Sequence, residues 1–153
     1  MFDWFVAPLR CPKCGAVSPP TSVTNMQTHL RDDANGSELA VGACLDALDV
    51  RTSDILNSGY QLVSEPAPGE AIRLLEVWQC PSCGRGDNWA LIIIGDNCIT
   101  GIEAVTLDRA MLERAHFISE QCFVLAAQLS DVPVADLSAG SVSCVETLRE
   151  RLP

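Results

Sequence analysis

Apolar residues occur in short runs of strand length in the first part of the chain and follow helical spacing after Leu107. The first part predicts β-strands, because turn-forming residues separate the runs from one another. The second part predicts helices, because apolar side chains three or four residues apart share one helix face. We therefore expect an α+β fold in one domain, 1–153, mainly β over 1–106 and mainly helical over 107–153. Its sheet is expected to be mainly antiparallel, with the C-terminal helices packed on it.

Individual runs predict where the strands lie. Strands are expected within 24–30, 39–44, 60–65 and 70–79, and a single helical turn within 52–59. The clearest pattern is a β-hairpin, in which two apolar runs, 88–95 and 98–107, flank the turn-forming pair Asp96-Asn97. The continuously apolar part of the first run indicates an interior strand covered on both faces.

Two helical regions follow the hairpin. Between 107 and 130 the helical pattern weakens at 117–119, which predicts either two helices or one interrupted helix, with Ser119 able to cap a new start. A final amphipathic helix is predicted near the C-terminus, where Ser143 and Glu146 have the spacing of a capping box.

The net charge of the chain limits the kinds of partner that it is expected to bind. Twenty acidic residues stand against ten basic ones, for a net charge of −10 and a pI of about 4.4. A nucleic-acid binder needs a basic surface, and an anionic membrane surface would repel this chain, so neither partner is expected. The longest apolar run, Trp89 to Ile94, is too short to span a membrane. The N-terminus has no basic lead and its apolar stretch is broken at Pro8, so no secretion signal is expected and the cytoplasm is the expected location.

One acidic segment is the candidate partner surface. Its six acids are Asp32, Asp33, Glu38, Asp46, Asp49 and Asp54, opposed only by Arg31 and Arg51. Such a cluster can attract a basic protein through its field. The alternative is an ordinary solvated face that keeps the protein soluble.

The eight cysteines divide into two groups. Four lie in two copies of one pattern, Cys-Pro-x-Cys-Gly, with the cysteines at Cys11, Cys14, Cys80 and Cys83. Two Cys-x-x-Cys turns supply four thiolates, which complete a tetrahedral shell around one Zn²⁺ ion and leave no open position, as in a structural site. The other four are Cys44, Cys98, Cys122 and Cys144. We expect these to be small buried apolar residues, since disulfides are rare in a reducing compartment.

The segments CPKCG and CPSCG resemble the two knuckles of a zinc ribbon, a small β-hairpin scaffold. The resemblance is confined to 11–15 and 80–84 with the strands beside them, and 65 residues (positions 15 to 79) separate the two pairs, more than in a compact ribbon. The zinc ion is thus expected to join the N-terminal segment to the strand that ends near Trp78. Zinc ribbons occur in nucleic-acid binders, enzymes and interaction modules, so the resemblance leaves the function open.

In general character, a small acidic protein of this kind resembles the immunity proteins that neutralise bacterial toxin domains, many of which are basic. This resemblance implies a non-enzymatic protein that binds a basic toxin domain. One alternative is a small enzyme whose Cys, His or carboxylate groups come from distant segments. Another is a zinc-ribbon transcription accessory or nucleic-acid module, for which Arg10, Lys13 and Arg85 are the only basic residues near the knuckles. His29 and His116 are expected to be structural.

Overall fold

The computed structural model describes residues 1–31, 33–45 and 52–153. Its strands form two sheets. The three-stranded sheet has the order β2-β1-β3, and the five-stranded sheet has the order β4-β8-β5-β6-β7. The strands are β1 (Asp3–Phe5), β2 (Met26–Thr28), β3 (Glu38–Leu39), β4 (Tyr60–Leu62), β5 (Ile72–Trp78), β6 (Asn88–Gly95), β7 (Cys98–Val105) and β8 (Phe117–Ser119).

Helices lie mainly in the last third of the chain. The α-helices of the described residues are α1 (Thr52–Leu56), α2 (Arg109–Arg114), α3 (Cys122–Ser130), α4 (Val134–Ser138) and α5 (Cys144–Arg151). A short 3₁₀ helix covers Ser22–Thr24. The predicted α+β class is confirmed, and most strand pairs are antiparallel. Within the described ranges, none of the helices combines the length and the apolar character that crossing a bilayer requires.

The predicted hairpin is present and forms one side of the larger sheet. Strands β6 and β7 pair antiparallel, and their connection places Asp96 and Asn97 at φ of 50° and 62°. Asp and Asn tolerate this left-handed conformation better than other residues with a side chain, which is why the pair marks the turn. β6 is buried along most of its length, as its apolar run predicts.

Strand β8 corrects the helical prediction for 107–130. Helices α2 and α3 form there, but the break between them is a strand that lies between β4 and β5, antiparallel to β4 and parallel to β5. All three residues of β8 are buried. A buried strand of three residues is too short to show an alternating pattern, so its position depends on the sheet around it.

The strand predicted at 39–44 is also largely wrong. Only Leu39 of this run belongs to a strand, and the chain then turns at Val41 and Gly42, with φ of +96° at the glycine. Glycine occupies that conformation without the clash that a side chain would bring. The turn directs the following residues against the start of β7, where the amide of Gly42 donates to the carbonyl of Ile99 at 2.8 Å.

The five-stranded sheet separates two apolar layers. Alternate residues of a strand face opposite sides of a sheet. On one side, Leu74 and Trp78 of β5 pack with Phe5 and Met26 of the three-stranded sheet. On the other side, Leu75 and its neighbours pack against the helices. The architecture is therefore small sheet, large sheet, helices.

A buried ion pair holds the small sheet together. Asp3 is fully buried, and its carboxylate accepts hydrogen bonds from Arg31 at 2.7 and 2.9 Å and from the amides of Asn35 and Ser37. Burial alone would raise the pKa of Asp3, but these donors outweigh it and lower the pKa. The carboxylate of Asp3 on β1 thus holds the segment that connects β2 to β3.

Candidate metal centre

The two Cys-Pro-x-Cys-Gly motifs fold into loops with the same backbone hydrogen bonds. In the first loop the amide of Cys11 donates to the carbonyl of Ala16 at 2.8 Å, and in the second the amide of Cys80 donates to that of Arg85 at 2.8 Å. The second loop joins β5 to β6 at the tip of their hairpin. The first is flanked by one isolated bridge, Arg10↔Val17, rather than by long strands.

The glycine of each motif closes its loop. Gly15 and Gly84 have φ of +78° and +76°, and each amide donates to the carbonyl of the first cysteine of its own motif, at 2.9 and 2.8 Å. A side chain would be strained at these φ values. The repeated pattern in the sequence thus produces two turns of the same shape.

The four cysteines of the motifs come together in space. The Sγ atoms of Cys11 and Cys83 are 3.8 Å apart, those of Cys14 and Cys80 are 3.6 Å apart, and all four lie within 4.8 Å of one another. A tetrahedral ion with Zn–S distances of about 2.3 Å has S···S edges of about 3.8 Å. The cluster can therefore hold a metal ion. Among the residues that the structure describes, it is the only group of His, Cys, Asp or Glu side chains close enough to do so.

Backbone donors favour thiolate on the buried member of each pair. Burial acts to raise the pKa of Cys11, but the amides of Cys14 and Lys13 and the nearby thiols lower it to about 7. The pKa of Cys80 is also lowered, first by the amide of Cys83. For Cys14 the amide of Ala16 acts to lower the pKa, but partial burial and the three neighbouring thiols raise it to about 11. The loops thus stabilise negative charge on the sulfurs of Cys11 and Cys80, as a cation site requires.

Polar contacts beside the cluster join the two loops directly. The Nζ atom of Lys13 donates to Asp87 and to Asn88, each at 2.8 Å. Arg85 also lies 3.5 Å from Asp87, and Arg10 donates to the carbonyl of Gly15 at 2.8 Å. Two of the three basic residues near the knuckles are thus paired with an acid. This pairing leaves less free positive charge for the nucleic-acid alternative.

The candidate acidic surface is described only in part. Asp32, Asp46 and Asp49 lie outside the described residues. Asp33 and Glu38 are exposed, and Asp54 is half-buried on α1. The carboxylate of Glu38 accepts a hydrogen bond from the amide of Ser22 at 2.6 Å. The surface as a whole therefore stays a prediction.

Cys44 and Cys98 are not the buried apolar residues that the sequence predicted. They form a disulfide across an antiparallel bridge, with Cys44 exposed and Cys98 half-buried. Backbone bonds on both sides align the two segments, including Ile99 amide to Ala43 carbonyl at 2.8 Å. The two cysteines are 54 positions apart and share no motif, so only the folded backbone brings them together. The disulfide also weighs against the reducing compartment expected above.

Cys122 and Cys144 are buried, as predicted, and they face each other between α3 and α5 with 2.7 Å between their Sγ atoms. The adjacent Cys144 thiol and burial together raise the pKa of Cys122. Both are free cysteines within the helical layer, and neither belongs to the four-cysteine cluster.

The two histidines have structural contacts. His29 is exposed and its ring lies edge-on to that of Phe2, at 5.8 Å between centroids. His116 is buried, and its Nδ1 accepts the amide hydrogen of Arg73 at 3.0 Å, so its Nε2 carries the hydrogen and donates to Glu70 at 2.5 Å. His116 therefore joins the chain before β8 to β5, which is a structural role.

A buried carboxylate was not singled out from the sequence. Glu76 lies on β5 in the layer between the sheets and is 5% exposed. Its Oε1 accepts a hydrogen bond from the Tyr60 hydroxyl at 2.5 Å, and Tyr60 also bonds Thr28 at 3.0 Å. The only signal was a charged residue within an apolar strand pattern.

The described chain thus contains one cluster that can hold a metal ion and one buried carboxylate on the strand that leads to it. Comparison with known proteins adds no relative to this description. No protein-family model, no curated protein and no solved structure matches the chain.

Proposed function

We propose that this chain is a non-enzymatic binding protein whose fold is closed by one structural Zn²⁺ ion at Cys11, Cys14, Cys80 and Cys83. The observation that carries the proposal is the spacing of the four Sγ atoms, which fits a tetrahedral shell of sulfur. Four thiolates fill that shell and leave no place for water or substrate. The ion therefore stabilises the fold rather than taking part in a reaction.

The ion acts as a long-range crosslink. It joins the loop after β1 to the tip of the β5–β6 hairpin, and 65 residues (positions 15 to 79) lie between the two pairs. Holding these loops together removes much of the conformational freedom of the segment between them. A metal bound to the folded chain but not to the unfolded chain adds its binding free energy to stability.

The proposed partner is a basic protein, and the best candidate is a bacterial toxin domain that this chain binds and neutralises. The support is electrostatic: the chain carries a net charge of −10, and its predicted partner surface includes Asp33 and Asp54. Opposite charge speeds encounter with a basic partner and selects against acidic ones.

Elemental analysis tests the metal. Protein purified without chelator is expected to contain about one equivalent of zinc, because four thiolates bind one ion. The variant Cys14→Ser/Cys83→Ser removes the two exposed ligands and is expected to lose the metal. The matched control, Cys44→Ser/Cys98→Ser, removes two other partly exposed cysteines and is expected to keep it. Less than half an equivalent, or iron in place of zinc, would overturn the assignment.

Capture from the source cells tests the partner. The captured protein is expected to be basic, to arrest growth when produced alone, and to lose that toxicity when this chain is produced with it. The variant Asp33→Lys/Asp49→Lys is expected to weaken binding about tenfold or more, since it reverses charge on the predicted surface. The control Glu103→Lys/Glu150→Lys has the same net charge but changes two exposed acids outside that predicted surface. Equal weakening by both variants would refute the surface, and a captured protein without toxicity would refute the immunity function.

A further inference from the structure

A polar cleft of about 390 Å³ lies between the two sheets. Its small-sheet side consists of Asn25, Gln27 and His29, at and beside β2. Its large-sheet side includes Tyr60 of β4, 76–79 at the end of β5, and 119–121 at the end of β8. The cleft has the size of sites that take small organic ligands.

Glu76 is an unusual residue for its position in this cleft. Alternation along β5 places it between Leu74 and Trp78, on the face that packs against the small sheet. It is 5% exposed, and the described residues form no ion pair with it. The Tyr60 hydroxyl donates to its Oε1, its Oε2 accepts the amide of Val77 at 3.2 Å, and the Ser119 side chain is a further neutral donor. A carboxylate is thus held away from water without a cation.

Burying an ionised carboxylate costs free energy, and a neutral glutamine at this position would avoid that cost. Burial raises the pKa of Glu76 to about 7, although hydrogen bonds from Tyr60, Val77 and Ser119 oppose the rise. Carboxyl groups perturbed in this way, in a cleft of ligand size, are often functional. A positively charged ligand in the cleft would supply the counter-charge that the Glu76 carboxylate lacks.

The rest of the lining fits a hydrogen-bond donor with positive charge. In the described part of the chain no Lys or Arg lines the cleft, whereas Glu120 and the amides of Gln27, Gln79 and Gln121 do. Their oxygens can accept several N–H donors at once.

We propose that the cleft between the sheets binds a small organic cation through an alkylammonium or guanidinium group, with Glu76 as the anionic acceptor. A free amine and the Lys or Arg side chain of a protein share this chemistry, so both serve as probes below. The proposal does not depend on the zinc ion or on the toxin partner, and each can fail without the other.

Binding is expected to depend on pH. A cation favours ionised Glu76, so a proton is released on binding when the pH lies below its folded-state pKa of about 7, and affinity rises as pH rises through that value. The other titratable groups that line the cleft are Tyr60 on β4, His29 beyond β2 and Glu120 beyond β8. Tyr60 stays protonated because burial raises its pKa well above the usual value. The variant His29→Gln isolates any contribution of the imidazole.

Calorimetric titration of the zinc-loaded full chain tests the site with putrescine, agmatine and butylamine, and with butanol as the neutral analogue. The cations are expected to bind and butanol is not, with affinity about tenfold higher at pH 8 than at pH 6. Titrations in two buffers of different ionisation enthalpy should show proton release near neutral pH.

The peptide Gly-Arg-Gly shows whether the natural ligand is a protein side chain or a free amine. Tighter binding of the peptide than of agmatine indicates a protein side chain, and the reverse indicates a free amine.

The variant Glu76→Gln is expected to weaken cation binding at least about tenfold, because it removes the charge and keeps the shape. Glu103→Gln changes an exposed carboxyl group on β7, outside the cleft, and should bind as the unmodified chain does. Equal binding of butanol, unchanged binding by Glu76→Gln, or no binding of any cation up to millimolar concentration would each overturn the proposal. Proton release by the unmodified chain tests the same carboxyl group even where Glu76→Gln does not fold.

Discussion

The four-cysteine cluster and the cleft both include residues of β5 or of the loop that follows it, and they are built in opposite ways. Glu76 lies within β5, and Cys80 follows two residues after its end. The cluster brings four identical groups within 4.8 Å of one another. The cleft collects chemically mixed groups from both sheets and remains open. A closed set of ligands satisfies one ion and stabilises the fold, whereas an open set with a buried charge destabilises the fold and leaves room for a ligand.

Removing the metal is expected to have the largest effect on stability. At a free zinc concentration a thousandfold above Kd, the bound ion contributes about 4 kcal/mol to the free energy of unfolding. Urea unfolding with zinc and after chelator treatment measures that contribution. Glu76→Gln should respond to zinc as the unmodified chain does, and Cys14→Ser should not respond. A zinc response in Cys14→Ser equal to that of the unmodified chain contradicts the four-thiolate site.

Neutralising the buried carboxyl group is expected to change how stability depends on pH. Glu76 has a folded-state pKa of about 7 against a usual 4.5, so the folded chain holds a proton that the unfolded chain releases between these values. Its contribution to stability is fully present below about pH 4.5 and is lost as pH rises through about 7, for a total of about 3 kcal/mol. The variant Glu76→Gln has no ionisable group at this position, so it should not lose stability in this way.

Urea unfolding of both proteins at about pH 5 and about pH 8, with zinc present, measures the difference. Titration of the cysteine cluster is common to both proteins and cancels from the comparison. Glu76→Gln should therefore gain stability relative to the unmodified chain as the pH is raised. Parallel stability curves across this range would show that the carboxyl group is not protonated in the folded state.

Removing the Tyr60 hydroxyl is expected to have a smaller effect. Tyr60→Phe leaves Thr28 and Glu76 without their shared partner, which costs about 2 kcal/mol for buried polar groups. It also removes a donor to the carboxylate, so the pKa of Glu76 should rise further. Urea unfolding and the pH midpoint of cation binding measure these two changes. Zinc content should stay at one equivalent, and loss of zinc in this variant would mean that the two regions are coupled.

Local patterns predicted the four-cysteine cluster well, because a short motif specifies each of its two loops. Each Cys-Pro-x-Cys-Gly motif fixes its own turn through one glycine, and the two turns needed only to meet. The hairpin at Asp96-Asn97 and the cap of α5 were predictable for the same reason, since the Ser143 hydroxyl accepts the amide of Glu146 only three residues away. Sequence neighbours determine these features.

The features that the sequence did not predict depend on contacts between segments that are far apart in the chain. Strand β8 is stabilised by two strands that are distant in sequence, and Cys44 meets Cys98 because backbone hydrogen bonds align their segments. The cleft likewise depends on residues from both sheets, each unremarkable in its own segment.

The sequence by itself determined the α+β class, the two Cys-Pro-x-Cys-Gly turns and the acidic character of the chain. These follow from short-range periodicity, turn chemistry and composition. Only the tertiary structure decided that a glutamate of β5 is buried beside Tyr60, and that two single cysteines are bonded. The physical reason is that burial and proximity are properties of packing between distant segments, which a local pattern does not contain.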